Sequence, residues 1–112
     1  MSSEPEPTLQ SRLDALRRGY LSELPRRLRE IEQARAVVWP GDLGALERLR
    51  YHIHKLSGSG AVFGCPEVSA AASAIERRLD EAIALGQITA RDFAALDADF
   101  AGLARACAGY FS

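Results

Sequence analysis

β-Branched residues are scarce in this chain of 112 residues: Val, Ile and Thr together number 11, against 19 Ala and 14 Leu. Ala and Leu lose little side-chain freedom in a helix, whereas β-branched residues lose χ1 freedom there. The balance favours helices and argues against a sheet-based enzyme. Net charge is nearly absent as well. Fourteen basic against fifteen acidic residues leave −1, with a pI of about 6.1, so no global field draws in nucleic acid or an anionic membrane. Lysine is almost missing, Lys55 being the one cation of 14 that is not Arg. No apolar run approaches the ~18–20 residues of a membrane span, and the opening MSSEPEPT lacks the basic and apolar regions of a signal peptide. The two cysteines, Cys65 and Cys107, are isolated and fit no metal or redox spacing. They are expected as core or boundary thiols, since free Cys behaves as a small buried hydrophobe. The resulting expectation is a cytoplasmic, monomeric protein with reduced thiols, no metal site, no nucleic-acid partner and no membrane insertion.

What is present is helical periodicity. Hydrophobic residues make up 47% and charged residues 26% of the chain, an ordinary globular balance that suits one domain of this length. Residues 1–7, with two Pro and two Glu, read as a disordered leader. From there apolar positions recur at steps of three and four in four blocks. Leu9, Leu13, Leu16, Tyr20, Leu24, Leu28 and Ile31 form the first, with Pro25 expected to kink or split it by removing a backbone donor. The second contains Leu43, Leu46, Leu49, Ile53, Leu56, Gly60 and Phe63; the third Val68, Ala71, Ile75, Leu79 and Ala82; the fourth Phe93, Leu96, Phe100, Leu103, Cys107 and Tyr110.

Punctuation supports these blocks. Trp39-Pro40-Gly41-Asp42 reads as a turn with Asp42 as N-cap, Pro66 and Glu67 suit a helix start, Gly86 suits a helix end, and Thr89 with Asp92 resembles a capping box. The spacing predicts helices over about 8–38, 42–63, 66–85 and 89–111. Joined by short turns, they imply an all-α, up-down antiparallel four-helix bundle that buries all four stripes.

The stretch from Tyr51 to Gly64, YHIHKLSGSGAVFG, is unusual because Gly58, Gly60 and Gly64 fall within seven residues of a helical pattern. Each glycine costs up to ~1 kcal/mol relative to Ala inside a helix. A phosphate-cradling loop would need a strand before it, and helical spacing precedes it here. Nor do His52 and His54 make a metal pair, because positions two apart on a helix lie about 200° from each other. The helical wheel gives a third reading. With Leu46, Leu49, Ile53, Leu56 and Gly60 defining the buried direction, His54 lies roughly 130° away in water and His52 roughly 70° away at the seam. Tyr51 and Gly58 share the face of His54, so the imidazole stands beside a turn without a side chain. The glycines are then offset by access for a large partner.

These residues resemble the signature of histidine phosphotransfer (HPt) domains: His54-Lys55-Leu56-Ser57-Gly58-Ser59, with Gly64 ten residues after the histidine. Ile75-Glu76 is similar to an apolar-Glu pair on the next helix of that family, and the four blocks match its four-helix bundle. The resemblance implies that His54, not His52, accepts a phosphoryl group; that Leu56 is the buried anchor; that Gly58 keeps the approach open; and that Gly64 ends the helix. The family often has Lys three residues after the histidine, where this chain has Ser57. Arg50 and Lys55 are the candidate substitutes for that cation. Tyr51, Lys55, Ser57, Gly58, Ser59 and Ala61, with part of the first helix, are the expected docking surroundings. The implied role is a phosphorelay carrier between response-regulator receiver domains, supplied by a sensor (hybrid) histidine kinase. Mg²⁺ would belong to the receiver, with no cofactor on this chain and no ATP hydrolysis. Two alternatives remain open: a phosphoacceptor module loaded directly by a kinase catalytic domain, and a helical binding module without phosphotransfer.

Overall fold

The computed structural model describes residues 8–38 and 42–111. Its elements are α1 (Leu9–Ala36), α2 (Leu43–Val62), α3 (Pro66–Leu85) and α4 (Ala90–Ala108), with no strand among the described residues. Residues 1–7, read as a leader, and Trp39, Pro40 and Gly41 of the expected turn lie outside the described residues.

Local chemistry sets the helix ends. The Thr8 hydroxyl accepts from the Ser11 amide at 3.0 Å and the Asp42 carboxylate from the Gly44 amide at 3.1 Å. Pro66 opens α3, where a missing N–H costs nothing, and Glu67 places a negative charge in its first turn. Thr89 and Asp92 cap each other reciprocally at the start of α4. Gly64 (φ 74°) and Gly86 (φ 73°) end α2 and α3 in the left-handed region that only glycine enters freely. Each is followed by a bond reaching five residues back: the Cys65 amide to the Gly60 carbonyl at 2.8 Å, and the Gln87 amide to Ala82 at 3.1 Å.

Cross-helix contacts fix the up-down order. Tyr20 on α1 stacks on Phe63 at 5.0 Å and receives a hydrogen bond from Ser59. On α3, Arg78 pairs with Asp99 of α4 at 2.7 Å, and Glu67 accepts from Tyr110 beyond the α4 end. At the other side Arg35 of α1 pairs with Asp97 and lies over the Phe100 ring. Each neighbouring pair therefore runs antiparallel, and the chain is an all-α four-helix bundle. The core is a single cluster built from Leu24, Ile31, Leu46, Leu49, Ile53, Leu56, Val68, Ile75, Leu79, Leu96, Phe100 and Leu103 with their smaller neighbours. Among the described residues every buried one is apolar.

Two expectations need correction. The first stripe is not wholly buried: Leu9, Leu13 and Leu16 are 73%, 50% and 56% exposed, and Leu43 of the second block is exposed as well. Because Tyr20 already stacks against the residue that caps α2, the segment from Leu9 to Gly19 runs past the end of its neighbour. With 28 residues, α1 spans about 42 Å at ~1.5 Å per residue, longer than any other helix of the bundle. Pro25 does not split α1, which continues through it from Leu9 to Ala36. A proline removes one donor, and Leu24 and Ile31 on either side of it are buried in the core.

The glycines also separate by role. Gly58 has nothing within 4 Å of where a Cβ would stand, so open space fits it. Gly60 is buried, and a Cβ there would meet the Ser69 backbone nitrogen at 3.0 Å and the Cys65 carbonyl at 3.3 Å. Its cost is offset by helix packing rather than by access.

Equilibrium urea unfolding should therefore separate the two. Gly60→Val should destabilise by roughly 1–3 kcal/mol through overpacking, whereas Gly58→Ala should stabilise by about 0.5–1 kcal/mol through helix propensity. Burial pushes the Cys107 thiol up to about 11. At pH 8 it should react with Ellman's reagent orders of magnitude more slowly in the folded protein than in urea.

Candidate functional site

The α2–α3 pair meets along a seam of polar and small residues. Both helices present positions spaced by three and four, so side chains face each other in matched rungs. Nearest the turn, Gly60 lies against the Ser69 backbone, and the Ser69 hydroxyl donates to the Ser57 carbonyl at 2.8 Å. One turn on, the Ser57 and Ser73 hydroxyls are 2.7 Å apart. His54 comes next, its Nδ1 2.7 Å from Glu76 Oε2. The last rung is Arg50, whose Nε donates to Asp80 and whose Nη2 lies 3.6 Å from the same Glu76 oxygen.

His54 projects from this seam into water, its side chain 64% exposed, whereas Glu76 is only 16% exposed beneath it. An ionised carboxylate has no proton to give, so Nδ1 is the donor in this hydrogen bond. The other ring nitrogen, Nε2, is then unprotonated in the neutral imidazole and carries the free lone pair. Arg50 is held as a firm cation, since the hydrogen bond to Asp80 and its charge push the guanidinium above its ordinary value.

The remaining sequence-derived residues divide. Tyr51, Lys55, Gly58 and Ala61 are exposed on the outer side of α2 with His54. Lys55 extends over the Tyr51 ring, its Nζ 5.2 Å from the centroid, a cation–π contact. Ser57 and Ser59 are half-buried and turned inward, the first to Ser73 and the second to the Tyr20 hydroxyl at 3.2 Å. Leu56 is buried in the core and Gly64 closes the helix. His52 is half-buried and makes a T-shaped ring contact with Tyr51, and it has no part in the Glu76 rung. Among the described residues no group of three or more His, Cys, Asp or Glu side chains could hold a metal ion.

Residues 15–106 match the family model for the Hpt domain. The chain belongs to the Hpt domain family. No curated protein and no solved structure matches it. Hpt domains serve histidine phosphotransfer in phosphorelays, carry no cofactor of their own, and work with the receiver domains and kinases of two-component relays. No helix among the described residues of this Hpt domain is long and apolar enough to cross a membrane.

Two site residues, Glu76 and Asp80, are not among the acceptor and docking residues named from the sequence. Glu76 was visible only as half of an apolar-acid pair, and Asp80 carried no signal of its own. Their spacing from Ser73 repeats, in reverse, that of His54 and Arg50 from Ser57. The repeat becomes meaningful once the α2–α3 register is known. The Ser57–Ser73 bond in this Hpt domain should show as coupling. Ser57→Ala and Ser73→Ala should each cost about 1 kcal/mol in denaturant unfolding. The double variant should cost distinctly less than their sum, since each single change leaves a hydroxyl unpaired.

Proposed function

We propose that this chain is a phosphorelay carrier in which His54 takes a phosphoryl group from a receiver-domain aspartate and delivers it to another receiver. The observation that carries this reading is the pairing of an exposed imidazole with a shielded carboxylate: His54 is held at Nδ1 by Glu76, which leaves Nε2 facing outward.

In the forward step the Nε2 lone pair attacks phosphorus in line, the N–P bond forms, and the P–O bond to the donor aspartate breaks with its electron pair staying on the carboxylate. No proton has to move, because Nδ1 keeps its hydrogen. The ring, now substituted at one nitrogen and protonated at the other, becomes positively charged as the bond forms. Glu76 faces that developing charge from a site with little water around it, where fixed electrostatics act most strongly. The reverse step reloads an aspartate by the same path. Phosphoryl transfer needs positioning and charge neutralisation above all, and a carrier of this kind needs no general base.

The receiver would seat on the outer face of α2. Gly58, one turn beyond His54, has open space where a side chain would begin, and Ala61 continues the low relief. Val62 is 76% exposed and, with Leu13 and Leu16 of α1, borders a groove over Phe63 and Gly64. That gives an apolar patch with Lys55, Tyr51 and Arg17 at its margin, in keeping with a transient complex. The cation that the family often carries at the Ser57 position is replaced there by a hydroxyl bound to Ser73.

A relay assay tests this. Incubation with a phosphorylated receiver should yield acid-labile, base-stable label on the wild-type protein and on His52→Gln, and none on His54→Gln. Gly58→Trp should slow transfer from the receiver by on the order of tenfold or more through lost approach, while labelling by the small donor phosphoramidate stays near the wild-type rate. Label surviving His54→Gln but lost in His52→Gln would overturn the assignment. Absence of label from receivers, kinases and phosphoramidate alike would leave a binding module in its place.

A further inference from the structure

The seam holds one more charged rung than the acceptor pair requires. Arg50 sits one turn before His54 on α2, and Asp80 one turn after Glu76 on α3. Arg50 faces two carboxylates along one edge of its guanidinium: Nε donates to Asp80, and Nη2 lies 3.6 Å from Glu76 Oε2, the oxygen that also receives Nδ1–H of His54. Its side chain is 41% exposed, that of Asp80 48%, and that of the intervening Glu76 only 16%. A carboxylate shielded this far needs compensation for its charge, and a single neutral imidazole supplies little.

We propose that Arg50, braced by Asp80, is a positioning residue for the phosphoryl acceptor: it holds the Glu76 carboxylate in place beneath His54, so that Nδ1 keeps the proton and Nε2 presents the lone pair. This rests on the reading of His54 as the acceptor, and it assigns Arg50 a different task from direct contact with the phosphoryl group. The geometry separates the two tasks. Arg50 lies on the Glu76 side of the ring, the Nδ1 edge, whereas the phosphoryl group joins Nε2 at the opposite edge. Its Nε and Nη2 both face carboxylates. Once the N–P bond has formed, the phosphoryl group brings negative charge near Glu76, and the Arg50 cation offsets that repulsion from behind. Lys could keep the charge but lacks the rigid planar fork that sets Nε and Nη2 against the two carboxylates.

The experiment combines ¹⁵N-histidine NMR of the full chain with labelling by phosphoramidate, in which the P–N bond breaks and ammonia leaves as Nε2 bonds to phosphorus. At a pH where His54 is neutral, the wild-type spectrum should show the Nδ1–H tautomer as the main form. Arg50→Gln should shift it toward the Nε2–H form and slow labelling by on the order of two- to fivefold, the size of a partly exposed ion pair. Arg50→Lys should fall between the two, and Asp80→Asn should move the tautomer in the same direction by less. Combined with Glu76→Gln, Arg50→Gln should add almost nothing, because both act through one carboxylate. An unchanged tautomer with slowed labelling would overturn the proposal in favour of direct phosphoryl contact, and so would full additivity with Glu76→Gln. Unchanged tautomer and unchanged rate would overturn it outright. Failure of the wild-type protein to label at His54 would instead defeat the acceptor reading, while the tautomer comparison would still report whether Arg50 positions Glu76.

Discussion

The contact between Gly60 and the Ser69 backbone sets the distance at which α2 and α3 run. With a Cβ at that point already at 3.0 Å from the Ser69 nitrogen, the two helices sit as near as backbone allows. Everything along the seam inherits that spacing. Short side chains such as Ser57 and Ser73 can touch across it only because the backbones are close, and Glu76 can reach His54 without leaving its shielded position. A wider seam would put water between these pairs and weaken each of them by raising the local dielectric. The bundle core supplies the cohesion, but the geometry of the site is fixed by a residue with no side chain.

That division of labour explains the glycine-rich stretch. Three glycines close together first suggest one purpose, yet the structure gives each a separate one. Gly58 leaves a turn of the outer face bare, Gly60 admits the neighbouring helix, and Gly64 turns the chain with a positive φ. All three lie within ten residues of His54, so access, packing and termination are arranged in a single short segment. The cost in helix propensity is local, and the Ala- and Leu-rich remainder of the chain absorbs it.

Much of the fold could be read from residue order. Period, caps and turn residues act over a few positions, and Asp42, Pro66, Gly86 and the Thr89–Asp92 box do in the structure what their chemistry implies. The exposed or buried sense of His54, Ile53 and Leu56 also followed from the wheel. What did not follow was how far each stripe is covered. The Leu9, Leu13 and Leu16 positions have the spacing of a buried face, but coverage depends on the lengths of the neighbouring helices, which periodicity does not carry. The inward turn of Ser57 and Ser59 was hidden for a related reason. A hydroxyl finds its partner on another helix, and Ser73 and Tyr20 become neighbours only after the register is set. Glu76 and Asp80 belong to the same class of information. The family resemblance pointed to the first, whereas the second emerged only from the paired rungs.

The seam has a kinetic meaning too. Every rung, from Arg50 with Asp80 to Gly60 with Ser69, lies within one helical hairpin whose halves are joined through Phe63, Gly64 and Cys65. Closing so short a connection costs little chain entropy, and contacts local in sequence are the ones that form fast. The order in which the bundle assembles is thus weighted toward the pair that carries the histidine, with α1 and α4 adding coverage to a site whose parts are neighbours along the chain.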